Sequence, residues 1–221
     1  MEEQFWKERW QKRELRFHLP FVHPILKRSL PLFNLPAGSR IFLPLCGKTL
    51  DIGYLLAEGY AVVGVELSEI AVSELFDELG LKPQISDWAG GQCWRHGKLT
   101  IFQGDFFALT AQQLGAVDLV YDRAAMVALP ETMRERYAAH LPEVTASAPI
   151  LLICFEYDQS RMAGPPFAIP ATKLQQLYGR RYRLTELSRK DVIAHQPAFQ
   201  EAGLEHFEEV SWQLSPARSG M

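Results

Sequence analysis

Arg40-Ile41-Phe42-Leu43-Pro44-Leu45-Cys46-Gly47-Lys48-Thr49-Leu50-Asp51, followed by Tyr60-Ala61-Val62-Val63-Gly64-Val65-Glu66, is the stretch that decides the fold. Residues 40–45 are a short apolar run bounded by turn formers, the pattern of a buried strand. Residues 49–59 read as a helix with Leu50, Tyr54 and Leu55 on one face and Gly59 as its stop. Residues 60–66 are a second buried strand. Two buried strands joined by a helix form a βαβ unit with parallel pairing. The pattern continues outward. Ser68 caps a further helix that starts at Glu69 and ends before Gly80. Strands are expected over residues 99–102, 117–121 and 148–155, and helices over 130–141 and 170–178. Residues 182–187 and 207–214 are candidate sheet strands. The expectation is an α/β fold with a mainly parallel sheet and helices on both faces.

Residues 2–34 precede this core and read as helical, with Phe5, Trp6, Arg9, Trp10 and Arg13 at helical spacing, a break at Leu19-Pro20 and a second helix over 24–33. So much aromatic surface does not stay free in water, and the open carboxyl edge of the sheet is the apolar cleft available to it. The chain is therefore expected to be one domain, residues 1–221, divided into a helical lid at 1–34, an α/β core at 35–214 and a tail at 215–221.

With 221 residues, 48% of them hydrophobic and 22% charged, the chain suffices for one α/β core. The formal net charge of −3 lacks the basic excess by which proteins neutralise phosphates, so nucleic acid is not an expected partner. A small uncharged or aromatic substrate fits better. Three scattered cysteines, Cys46, Cys93 and Cys154, make no disulfide framework. No apolar run is long enough to span a bilayer, and the acidic start, Met1-Glu2-Glu3, is unlike a signal peptide. No membrane partner and a cytoplasmic location are expected.

In such a sheet, ligands bind beyond the carboxyl ends of the strands, where strand order reverses. Gly47-Lys48-Thr49 invites comparison with a phosphate-binding loop, but Phe42 stands where that loop needs its first glycine. With a single glycine, the loop also lacks the dinucleotide fingerprint. Glu66 ends the second strand nineteen residues after Gly47, placed to accept hydrogen bonds from a ribose diol, or else to act as a helix-start acid or a solvated surface charge. A ribose acceptor without a phosphate cradle points to S-adenosylmethionine. Gly104-Asp105-Phe106-Phe107 could hold an adenine by edge and face, and reads equally well as a turn aspartate before two core phenylalanines. Arg123, at the end of the fourth strand of the core, could fork onto a carboxylate of cofactor or substrate, or pair with Asp122 or a surface glutamate.

Six segments in order make the chain similar to a known family: Phe5-Trp6-x-x-Arg9-Trp10 with Phe17-His18, then Pro44-Leu45-Cys46-Gly47-Lys48-Thr49-Leu50-Asp51, Val63-Gly64-Val65-Glu66-Leu67-Ser68-Glu69, Gly104-Asp105-Phe106-Phe107, Tyr121-Asp122-Arg123-Ala124-Ala125 and Gly164-Pro165-Pro166-Phe167. Over nearly its whole length, from Phe5 to about Leu214, the chain resembles the thiopurine S-methyltransferase family, bacterial type, of the class I (Rossmann-like) methyltransferase fold. The resemblance implies S-adenosylmethionine as cofactor. It implies that Trp10, Leu45, Glu66 and Arg123 contact the cofactor, joined by Trp6, Asp105 and Phe106, and that Phe17 lies beside an aromatic acceptor. It further implies a small-molecule thiol acceptor such as a thiopurine, with selenium and tellurium species also associated with bacterial members. A monomer is expected.

Methyl transfer from a sulfonium is an in-line displacement, which an enzyme serves chiefly by positioning two sulfurs and excluding water. Aromatic thiols ionise readily, so a strong base is optional. His18 is the one candidate base, weighed against the plainer reading of a satisfied histidine at a helix end. No catalytic side chain is otherwise assigned. Cys93-x-x-His96 has no partner pair and makes no metal site. Lys48 is a poor base for Cys46, which reads as a space filler beside the cofactor. Trp6 and Trp10, four apart, form the buried face of a helix. The competing readings are a class I methyltransferase with a different acceptor atom and a non-catalytic adenosyl-binding module. Retention of both Phe17 and the Gly-Pro-Pro-Phe loop favours an enzyme.

Overall fold

A computed structural model describes residues 3–15 and 17–217. Along the chain it runs α1 (Glu3–Gln11), α2 (Pro24–Ser29), β1 (Arg40–Pro44), α3 (Leu50–Ala57), β2 (Ala61–Glu66), α4 (Glu69–Glu78), β3 (Gln84–Trp88), β4 (Gly91–His96), β5 (Leu99–Gly104), α5 (Ala111–Leu114), β6 (Leu119–Arg123), α6 (Glu131–Val144), β7 (Ile150–Glu156), α7 (Ala171–Tyr178), β8 (Tyr182–Asp191), α8 (Pro197–Glu201) and β9 (Glu208–Pro216). The strands form one sheet in the order β3-β4-β5-β2-β1-β6-β7-β9-β8. Its centre, from β5 through β7, is parallel, as the alternating pattern requires. Antiparallel strands extend both ends.

Side-chain alternation splits the core into two layers. Phe42, Val63, Val120 and Leu152 face Tyr137 and Leu141 of α6 and Leu174 of α7. Ile41, Leu43, Val62 and Ile153 face Ile25 and Leu26 of α2, Ile52 and Leu55 of α3, and Leu75 and Phe76 of α4. The central strands are thus covered on both faces, and the sheet presents its carboxyl edge to the loops that follow β1, β2, β5 and β6.

Several expectations need correcting. In α3 the buried residues are Asp51, Ile52 and Leu55, while Leu50 is 37% exposed. Asp51 is drawn inward because its carboxylate accepts from the Tyr121 hydroxyl at 3.0 Å and the His23 N–H at 2.7 Å. The hairpin of β3 and β4 was not anticipated. In the N-terminal segment α1 ends at Gln11, and Arg13 lies beyond it at φ +58°. The chain then runs irregularly to α2, where His23 caps Ile25 through Nδ1. Ser215 and Pro216 belong to β9 rather than to a tail, and residues 218–221 lie outside the described residues.

Candidate active site

The loop after β1 turns sharply, with Leu45 at φ +48° and Gly47 at φ +54°. It folds back onto β2: the Cys46 N–H donates to the Val65 carbonyl at 3.0 Å, and the Gly47 N–H donates to Glu66 Oε2 at 2.7 Å. The other oxygen, Oε1, accepts from the Ser68 N–H at 2.7 Å. Glu66 is 6% exposed, and burial pushes its carboxyl above the usual range while these backbone donors pull it back. A carboxylate offers about four acceptor sites. Glu66 ties the turn after β1 to the start of α4, with the Leu67 N–H also close by, and keeps capacity for the hydroxyls of a diol. The N–H groups of Cys46, Gly47 and Thr49 in this turn are already engaged, so among the described residues the turn suits an adenosyl group better than a pyrophosphate. Cys46 packs over Gly64, where a β-carbon would come within 2.7 Å of Sγ. Burial and the nearby Glu66 raise the Cys46 thiol well above its ordinary pKa, so it serves as packing and not as a nucleophile.

At the end of β5, Gly104 sits at φ +145°, where a β-carbon would meet the Gly90 carbonyl oxygen at 2.1 Å. Asp105 follows, half-buried, and its carboxylate accepts from the Phe107 N–H at 2.9 Å, capping the 3-10 turn Phe106–Ala108. The Phe106 ring packs in the core, with ring centres 5.0 Å from Tyr137 and 5.1 Å from His140. What this segment offers to the sheet edge is therefore the Asp105 carboxylate and backbone, not the Phe106 ring face.

At the end of β6 successive side chains part company. Asp122, 1% exposed, points toward α6, where it accepts from the Tyr137 hydroxyl at 2.6 Å and the Met126 N–H at 3.1 Å. Burial pushes it up to about 6. It therefore cannot serve Arg123 as the ion-pair partner that the sequence allowed. Arg123 is half-buried and makes no ion pair among the described residues, leaving its guanidinium free at the centre of the carboxyl edge.

The N-terminal segment closes over this edge. Trp10 is 2% exposed and lies against Gly47, and Phe17 meets both Trp6 and Trp10 edge-on, with ring centres at 5.6 and 5.7 Å. The Trp6 indole N–H is buried without a partner among the described residues. Charges fasten the segment: Arg13 pairs with Glu74 of α4, and Lys48 joins Glu74 at 2.9 Å and also Glu78. At its far end His23 Nε2 lies 3.2 Å from Glu209 of β9. Because His23 Nδ1 accepts from the Ile25 N–H, Nε2 carries the proton and donates to Glu209. His18, expected as a satisfied helix-end histidine, is neither: it lies in irregular chain and its half-buried ring makes no hydrogen bond among the described residues.

The Gly164-Pro165-Pro166-Phe167 loop docks on the segment after β6. The Phe167 N–H donates to the Val127 carbonyl at 2.7 Å, the Tyr157 hydroxyl donates to the Pro166 carbonyl at 2.6 Å, and the Arg134 guanidinium lies 5.5 Å from the Phe167 ring centre. Cys93 and His96, three apart on β4, project from opposite faces, and the His96 ring bonds the Lys82 carbonyl at 2.8 Å.

Trp10, Leu45, Glu66 and Arg123 thus gather on one edge with Trp6 and Phe17 above and Asp105 beside them. Sequence reasoning missed Lys48 as a clasp and the buried group of Asp51, Tyr121 and His23. The clasp had a signal, since Glu74 and Glu78 are four apart on one helix face. The buried group had none, because its members meet only in the fold.

Comparison with known proteins identifies the fold and the family. The model of the family described as thiopurine S-methyltransferase matches residues 1–217. The thiopurine S-methyltransferase of Pseudomonas aeruginosa strain UCBPP-PA14 is 45% identical over 215 residues, covering 97% of this chain and 99% of that protein. That of Xanthobacter autotrophicus is 50% identical over 183 residues, covering 82% and 86%. Among solved structures, an S-adenosylmethionine-dependent methyltransferase from Thiobacillus denitrificans, in complex with S-adenosyl-L-homocysteine, superposes with a TM-score of 0.64 at 13% identity, covering 95% of this chain and 98% of that one. A TehB-like methyltransferase from Corynebacterium glutamicum gives 0.55 at 14% identity, covering 96% and 98%. These distant structures establish the class I methyltransferase fold. The sequence relatives and the family model establish more: the chain is an S-adenosylmethionine-dependent methyltransferase and belongs to the thiopurine S-methyltransferase family.

Proposed function

We propose that this enzyme transfers the methyl group of S-adenosylmethionine to the sulfur of small aromatic or heterocyclic thiols, thiopurines among them. The observation that carries the reading is Glu66: a buried carboxylate at the tip of a central strand that keeps acceptor capacity beyond its backbone donors, beside a turn whose Cys46, Gly47 and Thr49 N–H groups are already engaged. Glu66 takes the ribose hydroxyls, the Asp105–Phe106 backbone lies along the adenine edge, and Leu45 borders the adenosyl group at the turn. The free Arg123 guanidinium takes a carboxylate or an anionic acceptor. Trp6 and Trp10 cover the sulfonium side, and Phe17 stacks beside the acceptor. When bound, the cofactor supplies an electrophilic methyl group. The chain's own residues orient it, hold the acceptor sulfur in line and keep water out.

Residues 1–34 act as a lid that the cofactor orders, since Trp10 and Phe17 contribute aromatic surface directly above the Gly47 turn. Action as a monomer is part of the proposal. Three buried free cysteines suit the reducing cytoplasm.

Titration calorimetry with S-adenosylmethionine and S-adenosylhomocysteine, against NAD and ATP, tests the cofactor reading. A following panel of thiol, selenol, tellurol, hydroxyl and amine acceptors tests the acceptor atom. Transfer confined to oxygen or nitrogen acceptors would overturn the assignment to sulfur, and sedimentation velocity decides the monomer.

A further inference from the structure

We propose that the His18 imidazole is the group that receives the acceptor's thiol proton, with the acceptor sulfur held between His18 and Arg123. The proposal rests on the reading of Arg123 and Phe17 as the flanks of the acceptor site. Its own ground is the path of the N-terminal segment. Phe17 is fixed on the β1 side of the sheet by Trp10, which lies on Gly47. His23 is fixed to Asp51 and to Glu209 of β9. In the sheet β6 stands between β1 and the β7-β9 pair, so the five residues between these anchors cross above the end of β6, where Arg123 stands free. His18 is the ionisable side chain on that crossing. Its backbone is held, with the N–H donating to the Leu15 carbonyl at 2.9 Å, but its ring has no partner among the described residues.

The charged groups facing it are Lys48 from the turn after β1, Glu74 and Glu78 from α4, and Arg123 from β6. Lys48 is already engaged by both glutamates, so little net charge comes from that side. Partial burial, with Lys48 and Arg123, holds the imidazole below its ordinary pKa and therefore neutral and able to accept a proton near neutral pH. The step balances. The S–H proton moves to an imidazole nitrogen, and the thiolate pair forms the new S–C bond. The breaking C–S bond leaves its electron pair on the donor sulfur, which becomes an uncharged thioether. The imidazolium then returns its proton to water. Arg123 steadies the transient thiolate. Acceptors already ionised in water need His18 least, and weakly acidic thiols need it most.

The test uses the full chain, S-adenosylmethionine for turnover, S-adenosylhomocysteine for binding, and a series of substituted thiophenols and alkyl thiols of graded acidity. Replacing His18 by Gln removes no side-chain hydrogen bond seen among the described residues. In His18→Gln, kcat/KM should fall roughly a hundredfold for the least acidic thiol and progressively less as acidity rises, while S-adenosylhomocysteine affinity matches that of the unaltered enzyme. Independently of turnover, the His18 ring proton resonance of the unaltered enzyme should move to its protonated position when a thiophenol joins the S-adenosylhomocysteine complex at a pH where the free enzyme's ring is neutral. A loss equal for all thiols, or a resonance indifferent to thiophenol, overturns the assignment of His18 while leaving the cofactor site standing. Failure of the unaltered enzyme to bind S-adenosylhomocysteine overturns the site reading, and this proposal with it.

Discussion

The six-membered ring of Trp10 rests against the α-carbon of Gly47, so that a β-carbon at Gly47 would lie 3.3 Å from Trp10 Cζ2. Gly47 is at φ +54°, a backbone state costing about 1 kcal/mol for a residue with a side chain. Gly38, at φ +81°, has nothing within 4 Å of the same position. Both Gly47→Ala and Gly38→Ala should therefore lower the melting temperature, Gly47→Ala by more because it also crowds Trp10, and only Gly47→Ala should weaken S-adenosylhomocysteine binding. Equal affinities by calorimetry would show that the Trp10 contact is ordinary packing.

Glu66 has two duties, and two substitutions separate them. Glu66→Ala removes both ribose acceptors and should lose about 2 to 4 kcal/mol of cofactor binding. Glu66→Gln keeps one oxygen but turns an amide NH2 toward the N–H of Gly47 or Ser68, donor against donor. It should lower the melting temperature without ligand as well as the affinity. A Glu66→Gln protein with unaltered thermal stability would mean that the two backbone hydrogen bonds contribute little.

Arg123 has no ion-pair partner among the described residues, so its charge is available to a ligand. Arg123→Lys preserves charge and removes the fork; it should weaken cofactor or acceptor binding measurably, and Arg123→Ala should weaken it more. Steady-state kinetics unchanged in both variants would reduce Arg123 to a surface cation.

Asp122 predicts a pH dependence of known sign. Its pKa rises from 3.8 to about 6 on folding, because burial outweighs the bonds from Tyr137 and Met126. Between those values the folded state binds more protons than the unfolded state, so stability falls as pH rises from about 4 to about 6 and is level above it, by roughly 3 kcal/mol at most. Asp122→Asn should remove that decline, and denaturant melts of both proteins across this range read the difference. Parallel curves would place the titration elsewhere.

The proposed lid can be tested with the chain intact and with it shortened. Amide exchange over residues 5–18 should slow, and tryptophan emission should shift, when S-adenosylhomocysteine is added. A chain lacking residues 1–18 should keep its sheet and lose transfer. Normal turnover by that truncated chain would refute the lid.

The central βαβ unit was legible because burial on both faces leaves a continuous apolar run. Glu66 was visible as a carboxylate ending such a run, but choosing between a buried acceptor, a helix-start acid and a surface charge needed its contacts with the Gly47 and Ser68 N–H groups. The β3-β4 hairpin was not, because β3 is an edge strand with almost no buried face. Ile85 is 49% exposed, and the hairpin is secured by Trp88 against Phe102 and by Trp94 against Phe76. Neither contact leaves an alternating pattern. Asp51 escaped notice for a different reason. Its partners His23 and Tyr121 are 28 and 70 residues away, and no local periodicity records such a meeting. Arg123 was visible as a charge at a strand end, but whether it was paired with Asp122 or free depended on which face of β6 Asp122 took.

The burial of the three cysteines has a consequence for an enzyme that alkylates sulfur. Cys46 follows directly on Leu45 in the turn assigned to the cofactor, yet its sulfur is pressed onto Gly64, and burial raises the pKa of Cys46, Cys93 and Cys154 alike. A thiol kept protonated and out of reach is a poor nucleophile. With the cofactor bound beside Leu45 as proposed, the neighbouring thiol would be too buried and too fully protonated to take the methyl group, which would spare the enzyme self-alkylation at that turn.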